Sequence, residues 1–134
     1  MQRLYKNYCL KIFTILLFTT LLFGRAVANV YTPNTLADPV FTSVNNATGA
    51  IILPAGNAGM ISLRSSLFAA DFLGGTHTVT LSTGTYNLTQ ALPNRQITFG
   101  NTSQTITING NGPANTIINM VADANKDRIF LSIL

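Results

Sequence analysis

Residues Ile61 to Thr89 read ISLRSSLFAADFLGGTHTVTLSTGTYNLT, and their pattern changes at the glycine pair in the middle. The first half repeats apolar residues at helical spacing, with Leu63, Leu67 and Ala70 on one side. The second half alternates Thr with Val, Leu and Tyr, as strands with one buried face do. The stretch therefore predicts one amphipathic helix that runs directly into threonine-rich strands.

The helix is expected to span Ile61 to Leu73. Ser62 can cap its N-terminus by accepting a hydrogen bond from a free backbone N–H, and the glycine pair after Leu73 provides a left-handed stop. Phe68 and Phe72 lie beside the apolar side, which makes the predicted apolar stripe wide. Such a helix needs a partner surface.

The strands that follow the helix should each bury one face. In THTVTLS the residues expected to point one way are His77, Val79 and Leu81, whereas Thr78, Thr80 and Ser82 point the other way. In GTYNLT the same argument places Tyr86 and Leu88 on one face. These strands offer the predicted helix an apolar surface.

Short strands recur further along the chain. QTITINGNGPANTIINM contains two alternating strands around a Gly-Asn-Gly-Pro corner, and DRIFLSIL begins another pass. Val79 to Ile106 is 27 positions, and Ile106 to Ile129 is 23. Recurrence of about 20–30 residues between strands with glycine corners predicts the coils of a solenoid. A β-sandwich built of hairpins is the alternative.

The N-terminal residues have the layout of a secretory signal peptide. Four basic residues precede or flank a run of 12 mainly apolar residues from Ile12 to Phe23, namely Arg3, Lys6, Lys11 and Arg25. Small residues at Ala26 and Ala28 form an A-x-A site. A transmembrane anchor would need about 20 apolar residues. We therefore expect residues 1–28 to be removed, together with the single cysteine, Cys9.

The charge that remains after residue 28 is balanced, although the whole chain carries +4. The remaining basic residues are Arg64, Arg95, Lys126 and Arg128, and the acidic ones are Asp38, Asp71, Asp123 and Asp127. A neutral body lacks the clustered cations that bind phosphates, so no nucleic-acid partner is expected. Residues 29–60, with three prolines and little periodicity, predict an irregular segment with short strands.

The order of these motifs resembles a known family. ISLRSSLFAADFLGGTHTVTLSTGTYNLT, then ITINGNGPANTIIN and DRIF, is similar to the N-terminal CSLREA-type capping module of secreted right-handed parallel β-helix proteins of the pectate-lyase-like solenoid superfamily. The similarity covers Met60 to Phe130. Ile61, Ser65 and Asp71 depart from the Cys, Glu and Asn common in that family, and Ser66 from its Ala. Without the Glu, the return half of a capping box should be missing.

The resemblance implies a fold and an arrangement of parts. It implies that residues 61–134 are a capping helix and the first coils of a right-handed parallel β-helix, incomplete at the C-terminus. The helix would then cover the open end of the first coil, with Arg64 orienting it through hydrogen bonds. The apolar ending IFLSIL predicts self-association through an open C-terminal coil.

Potential sites are few. A lone histidine, His77, on an apolar strand face is more typical of a packed or capping side chain than of a base or ligand. The stretch 123–128 starts like a calcium loop, but Arg128 stands at the glycine position and Leu134 at that of the bidentate Glu. Gly110 to Asn115 lacks the lysine of a phosphate cradle and predicts a corner. Asn-x-Ser/Thr acceptor triplets begin at Asn46, Asn87 and Asn101.

The resulting functional expectation is a secreted or cell-surface, adhesin-like protein without catalytic, cofactor or metal residues. Its partners would be polysaccharides or other surface or matrix components. Two alternatives remain open: the N-terminal part of a polysaccharide lyase or hydrolase, and a truncated chain without a function of its own. The enzyme would need acidic and basic residues repeated on one outer face, and the four scattered Asp do not supply them.

Overall fold

A computed structural model describes residues 28–90, 97–120 and 130–132. The helix and strands within them follow the order β1 (Val30–Tyr31), β2 (Ser43–Val44), β3 (Ile51–Leu53), α1 (Leu63–Leu73), β4 (Gly75–Thr80), β5 (Gly84–Leu88), β6 (Ile97–Phe99), β7 (Gln104–Asn109), β8 (Thr116–Met120) and β9 (Phe130–Ser132). A short 3-10 turn, Ala55–Asn57, follows β3. The predicted signal peptide therefore lies outside the described residues, except for Ala28.

Helix α1 begins at the predicted cap. The Ser62 hydroxyl accepts from the Ser65 N–H at 3.1 Å. The Ser65 hydroxyl in turn accepts from the Ser62 N–H at 2.9 Å, so both halves of a capping box are present. The expectation of a missing return half was wrong, because a serine hydroxyl at this position reaches the same N–H that a longer glutamate would. Gly74, at φ 64°, ends the helix as predicted.

The buried side of α1 is narrower than its sequence pattern predicts. Leu63, Leu67 and Ala70 are at most 2% exposed. Phe68 and Phe72 are 51% and 66% exposed, so they do not belong to the buried stripe. The Phe68 ring packs edge-on against Phe41, at a centroid distance of 5.5 Å. Buried serine hydroxyls, Ser65 and Ser66, occupy space on the inner side that larger apolar residues would otherwise fill.

The central sheet is parallel and has the order β1-β4-β7. Val30 lies opposite Thr78, and Gly75 lies opposite Gln104. The predicted alternation in β4 is confirmed, since His77, Val79 and the following Leu81 are at most 3% exposed. Tyr86 and Leu88 of β5 are buried as well, as predicted. These side chains form one core with the inner side of α1.

Three smaller sheets complete the described structure. The pairs β5-β8 and β6-β9 are parallel, and β2-β3 is antiparallel. The turn after β2 packs closely on α1, since a Cβ at Gly49 would lie 3.2 Å from the Ser66 Cα. The φ of 75° at Gly49 also favours glycine. The turn thereby fixes the irregular N-terminal segment against the helix.

The fold-class prediction was wrong. The described residues form a small assembly of one helix and four separate short sheets, and they contain neither a solenoid nor a closed parallel β-helix. Between residues 28 and 62 the chain contributes only a two-residue parallel strand, an antiparallel pair and a 3-10 turn, rather than a coil. The β-sandwich alternative is wrong too, because parallel pairs replace the hairpins that it requires.

The register assumed for the strands was wrong as well. The predicted repeat aligned Val79 with Ile106, whereas Val79 lies opposite Ile108 and His77 lies opposite Ile106. A shift of two residues keeps every side chain on its face, so alternation cannot reveal it. The third position of the predicted repeat, Ile129, lies outside the described residues. The spacing assumed between Val79 and Ile106 was therefore not the true offset between the paired strands.

Candidate functional site

The single histidine connects two separate parts of the chain. His77 is 1% exposed, and its Nδ1 accepts from the backbone N–H of Asn29 at 3.2 Å. Its Nε2 lies 2.6 Å from the carbonyl oxygen of Gly74, the residue that ends α1. Because a carbonyl only accepts and a backbone N–H only donates, these partners assign the neutral imidazole with its proton on Nε2. The contacts fit the sequence-based interpretation of a packed, capping side chain.

Tyr31 extends this arrangement, and we call Asn29, Tyr31, Gly74 and His77 the His77 cluster. The Tyr31 ring lies 5.8 Å from the His77 ring, centroid to centroid. Its hydroxyl donates to the Asn46 carbonyl at 2.8 Å and accepts from the Asn29 side-chain amide at 3.3 Å. Burial raises the pKa of the Tyr31 phenol above its ordinary value of 10.0, and the hydrogen bond from Asn29 opposes that rise.

The raised pKa predicts a loss of stability in alkali. Above pH 10.0 the unfolded chain loses the Tyr31 proton more readily than the folded chain. The contribution of Tyr31 is therefore complete below that pH and is lost as the pH rises through the folded value. Denaturant midpoints measured from pH 8 to 11 should fall less steeply for Tyr31→Phe than for the unsubstituted protein. Equal slopes would show that burial does not perturb this phenol.

A second polar group lies at the start of the helix. The Asp38 carboxylate accepts from Arg64 Nε at 2.8 Å and Nη2 at 2.9 Å, in a forked pair. It also accepts from the backbone N–H groups of Thr89 and Gln90, at 2.9 and 3.1 Å. The side chains of Arg64 and Asp38 are 7% and 1% exposed. We call Asp38, Arg64, Thr89 and Gln90 the Asp38 cluster. It joins the N-terminal segment, α1 and the end of β5.

The Asp38 cluster confirms part of the sequence analysis and exposes what it missed. Arg64 does hold the helix through hydrogen bonds, as predicted. Its carboxylate partner was not identified, because four aspartates were available and nothing in the local pattern distinguishes Asp38. The burial of Asp38 could not be predicted, because it lies in a segment without periodicity. Arg64 and Asp38 are therefore structural residues in this arrangement.

Asp71 fixes the other end of the helix to the turn before β7. Its Oδ1 accepts from the N–H groups of Gly100 and Asn101, each at 3.1 Å. The Gln104 side-chain amide donates to the same carboxylate. The Asn101 side chain donates back to the Asp71 carbonyl at 3.2 Å. This carboxylate, like that of Asp38, binds backbone groups of a turn.

The outward face of the central sheet carries in-register hydroxyl groups, and we call it the threonine face. Its members on β4 are Thr76, Thr78 and Thr80, and they lie opposite Thr105, Thr107 and Asn109 of β7. All except the half-buried Thr78 are exposed. Within the part of the chain that the structure describes, these threonine hydroxyls make no hydrogen bonds. Sequence alternation predicted the outward direction of the β4 threonines, but the pairing with β7 came only from the structure.

The parallel pair β5-β8 carries an in-register pair of amides. Asn87 of β5 lies opposite Asn119 of β8, and the Asn119 amide donates to the Asn87 side-chain oxygen at 2.9 Å. Stacked in-register amides of this kind order each other along adjacent strands. The outward side chains of β5 and β8 are thus uncharged, although Ile117, opposite Thr85, adds an exposed apolar side chain among the hydroxyls and amides.

Comparison of the chain with protein-family models, with curated proteins and with solved structures gave no match. The resemblance to the CSLREA-type module accordingly stays a sequence-based prediction.

The remaining predicted sites fall partly outside the described residues. The calcium-loop candidate at Asp123 to Arg128 lies there entirely. Gly110 to Asn115 is a turn, as predicted: Thr116 donates its N–H to the Gly112 carbonyl at 3.0 Å, and Asn111 donates its N–H to the Thr116 hydroxyl at 2.8 Å. No cluster of three or more His, Cys, Asp or Glu that could hold a metal is found among residues 28–90, 97–120 and 130–132. The helix in these ranges is too short to cross a membrane.

Proposed function

We propose that this chain is an exported, non-enzymatic surface or matrix protein that binds neutral polysaccharide through the threonine face. The observation that supports this most directly is the in-register array of threonine hydroxyls that have no hydrogen-bond partner within the described residues. Export is supported by the signal-peptide pattern of residues 1–28.

The geometry of the array suits a polymer of sugars. Neighbouring strands lie about 4.8 Å apart, and outward side chains recur roughly every 6.7 Å along a strand. Each hydroxyl supplies one donor and two acceptors, which matches the mixed donors and acceptors of sugar hydroxyls. Because β4 and β7 pair in register over six residues, an extended chain can contact several hydroxyls at once. Many weak contacts on a rigid face favour polymers over single sugars.

The electrostatics favour a neutral ligand. Among the described residues, the charged side chains are Asp38, Arg64 and Asp71, and each binds protein groups. His77 uses both of its ring nitrogens in the core. Among residues 28–90, 97–120 and 130–132, the threonine face is therefore accompanied by no free cation for a uronate or sulfate and by no free carboxylate. Binding should respond little to salt, since no counterions are released.

The test is binding of the exported protein to insoluble polysaccharides. Depletion from solution by cellulose, starch and a neutral β-glucan is compared with depletion by insoluble polygalacturonate, at low and high salt. We expect binding to at least one neutral polymer, with weaker binding to the acidic one and little salt dependence. The double variant Thr78→Val, Thr107→Val should bind about tenfold more weakly, because two hydrogen bonds of about 0.5–1.5 kcal/mol are lost.

Thr98→Val is the matched control. Thr98 is an exposed threonine on β6, outside the threonine face, and the same isosteric change there should leave binding unaltered. Valine also retains the strand preference of threonine, so the fold should be preserved in all variants. Failure to bind any neutral polymer, or undiminished binding by the double variant, would refute the threonine face as a polysaccharide site.

A further inference from the structure

We propose that cleavage after Ala28 creates an α-amino group on Asn29 that docks onto Nδ1 of His77, so that the His77 cluster is a binding site for the new N-terminus of the protein. The inference rests on the export proposed above. It goes beyond export because it assigns a specific acceptor to the terminus that processing would produce.

The structure fixes Asn29 from three sides. Its backbone nitrogen lies 3.2 Å from His77 Nδ1, and its carbonyl accepts from the Thr78 N–H at 2.9 Å. Its side-chain amide donates to the Tyr31 hydroxyl and to the Ala47 carbonyl, both at 3.3 Å. Ala28, immediately before it, is exposed. The predicted scissile bond thus coincides with the boundary between an exposed residue and one whose backbone nitrogen, backbone carbonyl and side-chain amide nitrogen are all hydrogen-bonded.

Hydrolysis changes what the Asn29 nitrogen can donate. The Ala28–Asn29 C–N bond breaks, the water oxygen joins the Ala28 carbonyl carbon, and a proton goes to the Asn29 nitrogen. The amide, with one N–H, becomes an amine with an ordinary pKa of about 7.7–8.0, so it is largely an ammonium at neutral pH. A charged N–H donor makes a hydrogen bond roughly twice as strong as a neutral one.

His77 presents the right acceptor for that group. Because Nε2 donates its proton to the Gly74 carbonyl, Nδ1 carries a lone pair and faces the Asn29 nitrogen. The half-buried position of Asn29 leaves the other ammonium protons access to water. Docking therefore costs little desolvation while it strengthens the link between β1, β4 and the end of α1.

The position of the cut matters for this contact. The register of β1 against β4 is set by Val30 opposite Thr78 and Tyr31 opposite Val79. An extra residue at the terminus would move the amino group by about 3.3–3.6 Å, beyond hydrogen-bond reach of His77. The Asn29 amide N–H would still reach Nδ1 in that case. A one-residue extension of the terminus therefore removes the contact of the amine with His77 while it leaves the fold intact.

The experiment measures acylation of the α-amino group of the exported protein near pH 7. Lys126, the only lysine after Ala28, serves as the internal reference in peptide mass spectrometry. We expect the Asn29 amine to react about tenfold more slowly in the native protein than in denaturant, relative to Lys126. Insertion of one serine between Ala28 and Asn29 should abolish this protection and leave the unfolding midpoint nearly unchanged. His77→Phe should also abolish it wherever that variant folds.

The outcomes distinguish the two proposals. N-terminal sequencing that finds Asn29 first, with equal acylation rates in native and denatured protein, would overturn the docking and leave export standing. Protection that persists after the serine insertion would also overturn it. A protein that remains inside the cell with Met1 intact would overturn the proposed export, and an exported protein that begins at another residue would overturn the cleavage on which the docking depends.

Discussion

Replacement of Asp38 by alanine is expected to lower the free energy of unfolding by about 3–5 kcal/mol. The carboxylate accepts two hydrogen bonds from the buried Arg64 guanidinium and one each from the N–H groups of Thr89 and Gln90. Its removal takes these acceptors away inside a site where both charged side chains are almost inaccessible to water. Since small domains are stable by about 5–15 kcal/mol, much of the stability would be lost.

Equilibrium denaturation of the exported protein checks this expectation, and Asp71→Ala is the matched control. Asp71 also accepts from two backbone N–H groups, but it is only half-buried and has no forked arginine. Water can replace some of the hydrogen bonds that the Asp71 carboxylate accepts. The free energy of unfolding should therefore fall by about 1–2 kcal/mol, as expected for ordinary hydrogen bonds. If Asp71→Ala lowered the free energy of unfolding as much as Asp38→Ala or more, the larger stabilising role assigned to the Asp38 cluster would be wrong.

Leu67→Ala is expected to lower the free energy of unfolding by about 2–5 kcal/mol, as is typical when a buried leucine is truncated in a rigid core. The Leu67 side chain is fully buried on the inner side of α1. Its truncation leaves a cavity that the short sheets around the helix can fill only in part. The free energy of unfolding, from denaturant titration, measures the loss.

Phe72→Ala provides a control on the same helix. Phenylalanine is the larger side chain, yet Phe72 is 66% exposed, and alanine is the better helix former. We expect a change of less than about 0.5 kcal/mol, typical of a surface substitution. If Phe72→Ala proved more damaging than Leu67→Ala, the orientation of α1 described above would be wrong.

The local features of this chain were predictable, because they depend on neighbours in sequence. The cap at Ser62, the stop at Gly74 and the burial of His77, Val79 and Leu81 each follow from a few adjacent residues. Helical spacing predicted that Leu67 is buried, but it also placed Phe72 with the core. Period alone cannot tell how wide a partner surface is, and only the assembled structure shows where the buried stripe ends.

Long-range features were not predictable from one sequence. The partner of Arg64 lies 26 residues away, in a segment whose pattern does not indicate burial. The register of β4 on β7 differs by two residues from the assumed repeat. The alternation of buried and exposed side chains cannot reveal such a shift, because it leaves every side chain on the same face. The solenoid prediction failed on another long-range feature, because the described strands pair into four separate short sheets rather than into stacked coils. The threonine face, which depends on that register, could be recognised only afterwards.

The pairing of β1 with β4 bears on the order in which the chain folds. The backbone of Asn29 meets His77 across 48 positions, so this contact closes a long loop. Contacts of high sequence separation form slowly, because their entropic cost is met before they contribute stability. During synthesis β1 emerges well before β4, so it stays unpaired until β4 has been made. We therefore expect the N-terminal strand to join the sheet only once β4 has formed, although it is the first part of the sheet to be made.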